Sequence, residues 1–209
     1  MLRRRFDSYL RGVGRAERVE VAGGLYHVNV RGNNRRPIYF GNWSGRLFVR
    51  LLGQTAARFG WSVLAYCLMT NHYHVVLEIS EGGLSNGMCE LNGGYAKLSN
   101  KAVERQNHLF GRRFWSELIE DDEHLLTACR YVLLNPERAG AIADARCWRW
   151  SSLAATLGYV RRPTFLATAK LLEYFGGDSP EARERFAGFI QEGRVCAGQL
   201  PVPGTEVTR

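Results

Sequence analysis

The chain has 209 residues, with 28 Lys plus Arg against 20 Asp plus Glu for a net charge of +8, and is 45% apolar. That is globular composition with material for one sizeable core, and no apolar run approaches the roughly 18 residues of a membrane span, nor does the start read as an export signal. Five widely separated cysteines (Cys67, Cys89, Cys129, Cys147 and Cys196) without a Cys-x-x-Cys argue against a disulfide framework or a cysteine-zinc module, and predict a cytoplasmic protein.

In chain order, the first 18 residues are Arg-rich and read as a basic, flexible arm. Residues 1–50 carry 11 Arg and only Asp7, Glu17 and Glu20 as acids. Such a segment suits phosphate, because guanidinium forks match phosphate oxygens two at a time, and it is equally what a solvated charged arm looks like. Leu25 to Arg31 alternates, with Tyr26, Val28 and Val30 on one face and His27, Asn29 and Arg31 on the other, which predicts a half-buried strand. Gly32 to Pro37 is a basic turn. Leu47, Phe48, Leu51, Leu52, Thr55 and Phe59 then recur at helical spacing until Gly60. Trp61 to Leu68 and His72 to Ile79, joined by Met69-Thr70-Asn71, predict an antiparallel hairpin.

Met88, Leu91, Tyr95 and Leu98 form a second helical stripe, weakened in the middle by Gly93-Gly94. Arg113 to Ile119 reads as a short strand, and Asp121-Asp122-Glu123 caps a helix that Asn135-Pro136 is expected to close. Two more helical stretches, about 164–175 and 180–192, precede a Pro/Gly tail. The order predicts an α+β fold: a ferredoxin-like, split βαβ antiparallel sheet with helices on one face, plus a C-terminal helical extension. The divisions expected are an arm over 1–18, the main domain over 19–157, the extension over 158–197 and a disordered tail over 198–209.

His72-Tyr73-His74 carries the strongest chemical signal. Residues i and i+2 of a strand share a face, so two imidazoles project side by side while Tyr73, Val75, Leu77 and Ile79 enter the core. Two neutral imidazoles can reach one divalent ion, and Glu78 is in phase on the same face, although such a pair also arises by chance. Tyr95 is a second candidate. Its bland reading is a core tyrosine with a bonded hydroxyl; its chemical reading is a nucleophile toward a metal-activated phosphodiester, beside the flexible Gly93-Gly94 and the polar Lys97, Asn100 and Lys101. G-x-G-x-x-G, G-x-x-x-x-G-K-[ST] and G-x-S-x-G are absent, which leaves nucleotide-cofactor and serine-hydrolase readings without support.

Taken together, Gly24-Leu25-Tyr26-His27-Val28, Arg31 to Arg36, Tyr66 to Leu77, Tyr95 with Asn100, His108-Leu109-Phe110, Arg113-Phe114, Tyr131 to Gly140 and Trp150-Ser151-Ser152 resemble the REP-associated tyrosine transposases, within the single-tyrosine HUH transposases of insertion sequences. The resemblance runs from about Val21 to Leu157, and departs in Gly93-Gly94 and in Asn107 to Arg113. It implies an enzyme that nicks and rejoins hairpin-forming, single-stranded repeat DNA through a 5′-phosphotyrosine link. Tyr95 would be the nucleophile. His72 and His74 would hold Mg²⁺ or Mn²⁺ with Asn100 as third ligand and Glu78 in reserve. Arg31, Asn33, Arg35, Arg36, Lys97 and Arg113 would grip DNA. For Arg138, a salt bridge around the Asn135-Pro136 turn is expected. The partners implied are single-stranded DNA and neither membrane nor nucleotide cofactor, in a nucleoid-associated monomer or homodimer; the rival reading is a binder of structured repeats on the same fold that has lost catalysis.

Overall fold

The structure, a computed structural model, describes residues 20–195; the expected arm over 1–18 and tail over 198–209 lie outside the described residues. Strand β1 (Leu25–Arg31) leads through a one-turn helix at Asn33–Arg35 to α1 (Asn42–Phe59), followed by the hairpin β2 (Ser62–Leu68) and β3 (His72–Glu78). Then come α2 (Leu84–Ala102), β4 (Trp115–Ile119), α3 (Asp122–Arg138), α4 (Leu153–Thr156), α5 (Thr168–Leu172) and α6 (Pro180–Val195). The four strands lie in the order β2-β3-β1-β4, every neighbour antiparallel. This is the expected split βαβ arrangement.

The alternation of β1 and β3 divides the molecule into two cores. Tyr26, Val28 and Val30 of β1 and Tyr73, Val75 and Leu77 of β3 join Phe48 and Leu52 of α1 and Met88, Leu91 and Tyr95 of α2 on one face. On the other face Cys67 and Val76 meet Leu125, Cys129, Val132 and Leu133 of α3, together with Leu171, Leu172, Phe186 and Ile190 of the C-terminal helices. The crossover helices α1 and α2 therefore share one face as expected, while α3 and the extension add a third layer on the opposite face. The extension is tied to the sheet as well: Ala167 N donates to Val63 O of β2 at 2.8 Å.

Helix α1 starts at Asn42, before the apolar stripe, and stops at Gly60, whose φ of 63° ends it in the left-handed region. Helix α2 runs unbroken through Gly93-Gly94, where burial of its stripe outweighs the weak propensity. Helix α3 begins as expected, with the Asp121 carboxylate accepting from His124 N at 2.7 Å. It does not close at Asn135-Pro136. Pro136 lies inside its last turn, and the end is made by Ala139 N to Asn135 O and Gly140 N to Glu137 O, both 2.9 Å. Burial of Leu133, Leu134, Asn135 and Pro136 holds that turn against the one hydrogen bond that proline cannot make.

Candidate active site

The register of β1 on β3 sets Asn29 opposite His74 and Arg31 opposite His72. Together with His27, all five project from the sheet face that α3 covers. His74 is 2% exposed and its Nδ1 lies 2.9 Å from His27 Nε2, while the amide of Asn29 approaches its Nε2 at 3.4 Å. His72 lies at the hairpin turn: its Nδ1 is 2.7 Å from Asn71 Oδ1, and its Nε2 is 3.3 Å from Asn135 Oδ1. Burial pushes all three imidazoles toward the neutral form. His27 is lowered to about 4, with a smaller contribution from His124. His74 is held well below its usual value by burial, then by His27, His72 and Arg31; His72 is lowered by burial and Arg31.

The hydrogen bonds of Asn71 fix the tautomer of His72. Asn71 Nδ2 donates to Arg35 O at 3.1 Å, so its carbonyl oxygen is the atom that faces His72 and must receive the Nδ1–H. A neutral His72 then has a bare lone pair on Nε2, and that lone pair faces the carbonyl oxygen of Asn135. On His74, the Asn29 amide nitrogen faces Nε2 at 3.4 Å, which favours Nε2 as the acceptor and Nδ1–H as the donor to His27. Two imidazoles with a side-chain amide oxygen 3.3 Å from one of them suit a divalent metal ion. Among the described residues no three His, Cys, Asp or Glu side chains converge as a metal set. An amide oxygen is therefore the third donor that the geometry offers.

Tyr95 is not in this site. It is fully buried in the core on the opposite face of the sheet, where its hydroxyl donates to Ile38 O at 2.7 Å and its ring meets Phe48 edge-on. Burial raises its phenol to about 12. Its core reading is the one the structure supports. Asn100 lies on the same distant face, with its amide donating to Asn107 O at 2.8 Å. Glu78 does share a face with His72 and His74, but at the far end of β3, where it pairs with Lys170 of α5.

The tyrosine that does meet the histidines is Tyr131. Its ring packs edge-on against His74, with centroids 5.5 Å apart, and against His27 at 5.9 Å. It is half-buried, and no hydrogen bond to its hydroxyl occurs among the described residues. One helical turn later on α3 comes Asn135, so a single helix delivers both the phenol and the amide oxygen to the imidazoles. Arg138 makes no salt bridge among the described residues; its guanidinium lies over the Tyr131 ring, 5.3 Å from the centroid. The signal that could have found Tyr131 is its i, i+4 spacing to Asn135, inside a segment singled out for its resemblance alone.

The expected DNA-binding residues fall into two groups. Arg31 and the exposed turn with Arg35 and Arg36 border His72 and Asn71, and the turn is pinned by Asn33 N to Leu109 O at 2.9 Å. Asn34 and Arg35 both have left-handed backbone, with φ of 52° and 57°. Gly32 permits the turn because an added Cβ would meet Arg36 O at 2.1 Å. Lys97 and Arg113 instead border a groove beside α2, on the other side of the sheet.

The fold agrees with the comparisons with known proteins. A REP-associated tyrosine transposase of Haemophilus influenzae is 24% identical over 144 residues, covering 62% of this chain and 80% of that protein. A solved structure of a REP-associated tyrosine transposase bound to a REP hairpin superposes with a TM-score of 0.60 at 17% identity, covering 72% of this chain and 89% of the other, and shares the fold. No described helix is long and apolar enough to cross a membrane. Residues 20–134, more than half of the chain, match the model of the IS200-like transposases, and the protein belongs to that family.

Proposed function

We propose that the protein cleaves and rejoins single-stranded, hairpin-forming DNA, with Tyr131 as nucleophile. The observation that carries this reading is that α3 sets the Tyr131 ring against His74 and, one turn on, the Asn135 carbonyl oxygen against His72. The Tyr131 oxygen attacks the phosphorus of a phosphodiester. The P–O3′ bond breaks, the 3′ oxygen leaves with its electron pair and takes up a proton, and the phenol proton passes to solvent. The DNA 5′ phosphate is then joined to Tyr131, and attack by a 3′-OH reverses the step. Bond count is conserved, so no nucleotide cofactor is consumed.

His72, His74 and Asn135 are the residues that would hold Mg²⁺ or Mn²⁺. When bound, that ion would supply Lewis-acid polarisation of the phosphate. His27 and Asn71 orient the two imidazoles, and Arg31 and Arg138 bring positive charge to the side where the phosphate must lie. The DNA class is supported by the relative solved with a REP hairpin and by the exposed Arg turn beside His72.

The test is a denaturing gel with end-labelled single-stranded hairpins, each metal, and two variants. Tyr131→Phe is expected to abolish a covalent protein–DNA band that wild type forms, and Tyr95→Phe to retain it. The reverse pattern would overturn the assignment of the nucleophile. Hairpin binding with no adduct under either metal would favour a non-catalytic binder on this fold.

A further inference from the structure

A groove of about 540 Å³ lies between α2 and the segment 107–114, on the sheet face away from His72 and His74. Its apolar floor includes Met88, Ala96, Phe110 and Phe114. Its rim carries Lys97, Arg112 and Arg113, no carboxylate lines it, and none of the three cations takes part in a salt bridge among the described residues. Asn100 also borders it and has a buried carbonyl oxygen without a hydrogen-bond partner among the described residues.

Gly93 is the telling residue. It sits in the interior of α2, where glycine is a poor helix former, and nothing lies within 4 Å of where its Cβ would be. Gly94 beside it faces Leu51 of α1 at 3.9 Å, an ordinary packing contact, whereas Gly93 faces no side chain at all. The space in front of Gly93 belongs to the groove.

We infer that this groove takes an unstacked nucleobase of single-stranded DNA, with the adjoining phosphates on Lys97, Arg112 and Arg113. A flat apolar body with an anionic backbone is the ligand chemistry that an aromatic floor and an acid-free cationic rim both fit. The segment 107–114 runs directly into β4, whose Trp115 meets His27 edge-on with centroids 5.4 Å apart, so one strand can pass from the histidine site around the sheet edge. The inference rests on the proposed single-stranded DNA substrate and adds a second contact to it.

The experiment measures binding of the full chain, in EDTA, to a fluorescein-labelled single strand and to the same sequence as a duplex and as RNA. Gly93→Leu puts an apolar side chain into the groove without removing a charge, from a Cβ that meets nothing within 4 Å. It is expected to weaken single-strand DNA binding roughly tenfold, with unchanged salt dependence and no loss of thermal stability. Arg113→Ala is expected to make the log–log salt slope shallower by about 0.7. A 5-iododeoxyuridine strand should crosslink to Phe110 or Phe114. Wild-type affinity in Gly93→Leu, with crosslinks elsewhere, overturns the groove. So does tighter binding of RNA with the same response to Gly93→Leu. An unaffected Gly93→Leu beside a Tyr131-dependent adduct removes the groove alone, whereas the expected losses without any adduct remove the strand-transfer reading alone.

Discussion

His27 determines which nitrogen of His74 is available, and its own neutrality has a measurable consequence. Its pKa falls from the unfolded value near 6.5 to about 4 on burial, so between those values the unfolded chain binds the extra proton. Stability contributed by the neutral ring is therefore present above about pH 6.5 and is lost as pH falls toward 4. For the metal-free protein this predicts about 2 kcal/mol less stability at pH 5 than at pH 7.5 from His27, with His72 and His74 adding in the same direction. Urea titrations at the two pH values check it, and His27→Gln should remove that share of the difference. Asn135→Ala is expected to weaken Mn²⁺ binding tenfold or more by calorimetry, whereas Asn100→Ala should leave it unchanged. Alternation on β1 and β3 was enough to put His72, His74, Asn29 and Arg31 on one face. It could not choose between Tyr95 and Tyr131, since both lie on amphipathic helices and only the packing of α2 and α3 on opposite faces separates them.

Helix α3 is the element on which the site depends, because it carries both Tyr131 and Asn135 and reaches them from a capped start. Asp121→Ala removes the cap on His124 N and should cost about 1 kcal/mol, read as a lower urea midpoint with an unchanged slope. The start of α3 was legible from Asp121-Asp122-Glu123 and the apolar stripe that follows. Its end was not, because proline normally closes a helix and the counterweight is tertiary. Asn135 and Pro136 are both buried, and the Glu137 carboxylate accepts from Ala145 N at 2.5 Å and pairs with Arg194 of α6. Those partners are 8 and 57 residues away, beyond the reach of a local pattern. Helix α2 shows the converse: its stripe was legible despite glycines that weaken it, and burial of Leu84, Met88, Leu91 and Tyr95 keeps it continuous.

At the scale of the molecule, the sheet has a core on each face, and the candidate site belongs to the face completed by the C-terminal helices. Leu171, Leu172, Phe186 and Ile190 were readable as helical residues, yet nothing local in them said that they would pack on α3. Phe186 is fully buried there between Phe175 and Phe189, with ring centroids at 5.2 and 6.4 Å. Phe186→Ala removes a buried aromatic from a packed interior and should cost about 3–5 kcal/mol. If the sheet couples the two cores, the loss appears as one shifted transition, the same by tryptophan fluorescence and by far-ultraviolet circular dichroism, because Val76 of β3 sits in one core while its neighbours Val75 and Leu77 sit in the other. Two separated transitions would mean that α3 and α6 unfold from a sheet that α1 and α2 still hold. In that case the residues facing His72 and His74 could be withdrawn without unfolding the β2–β3 hairpin that presents them.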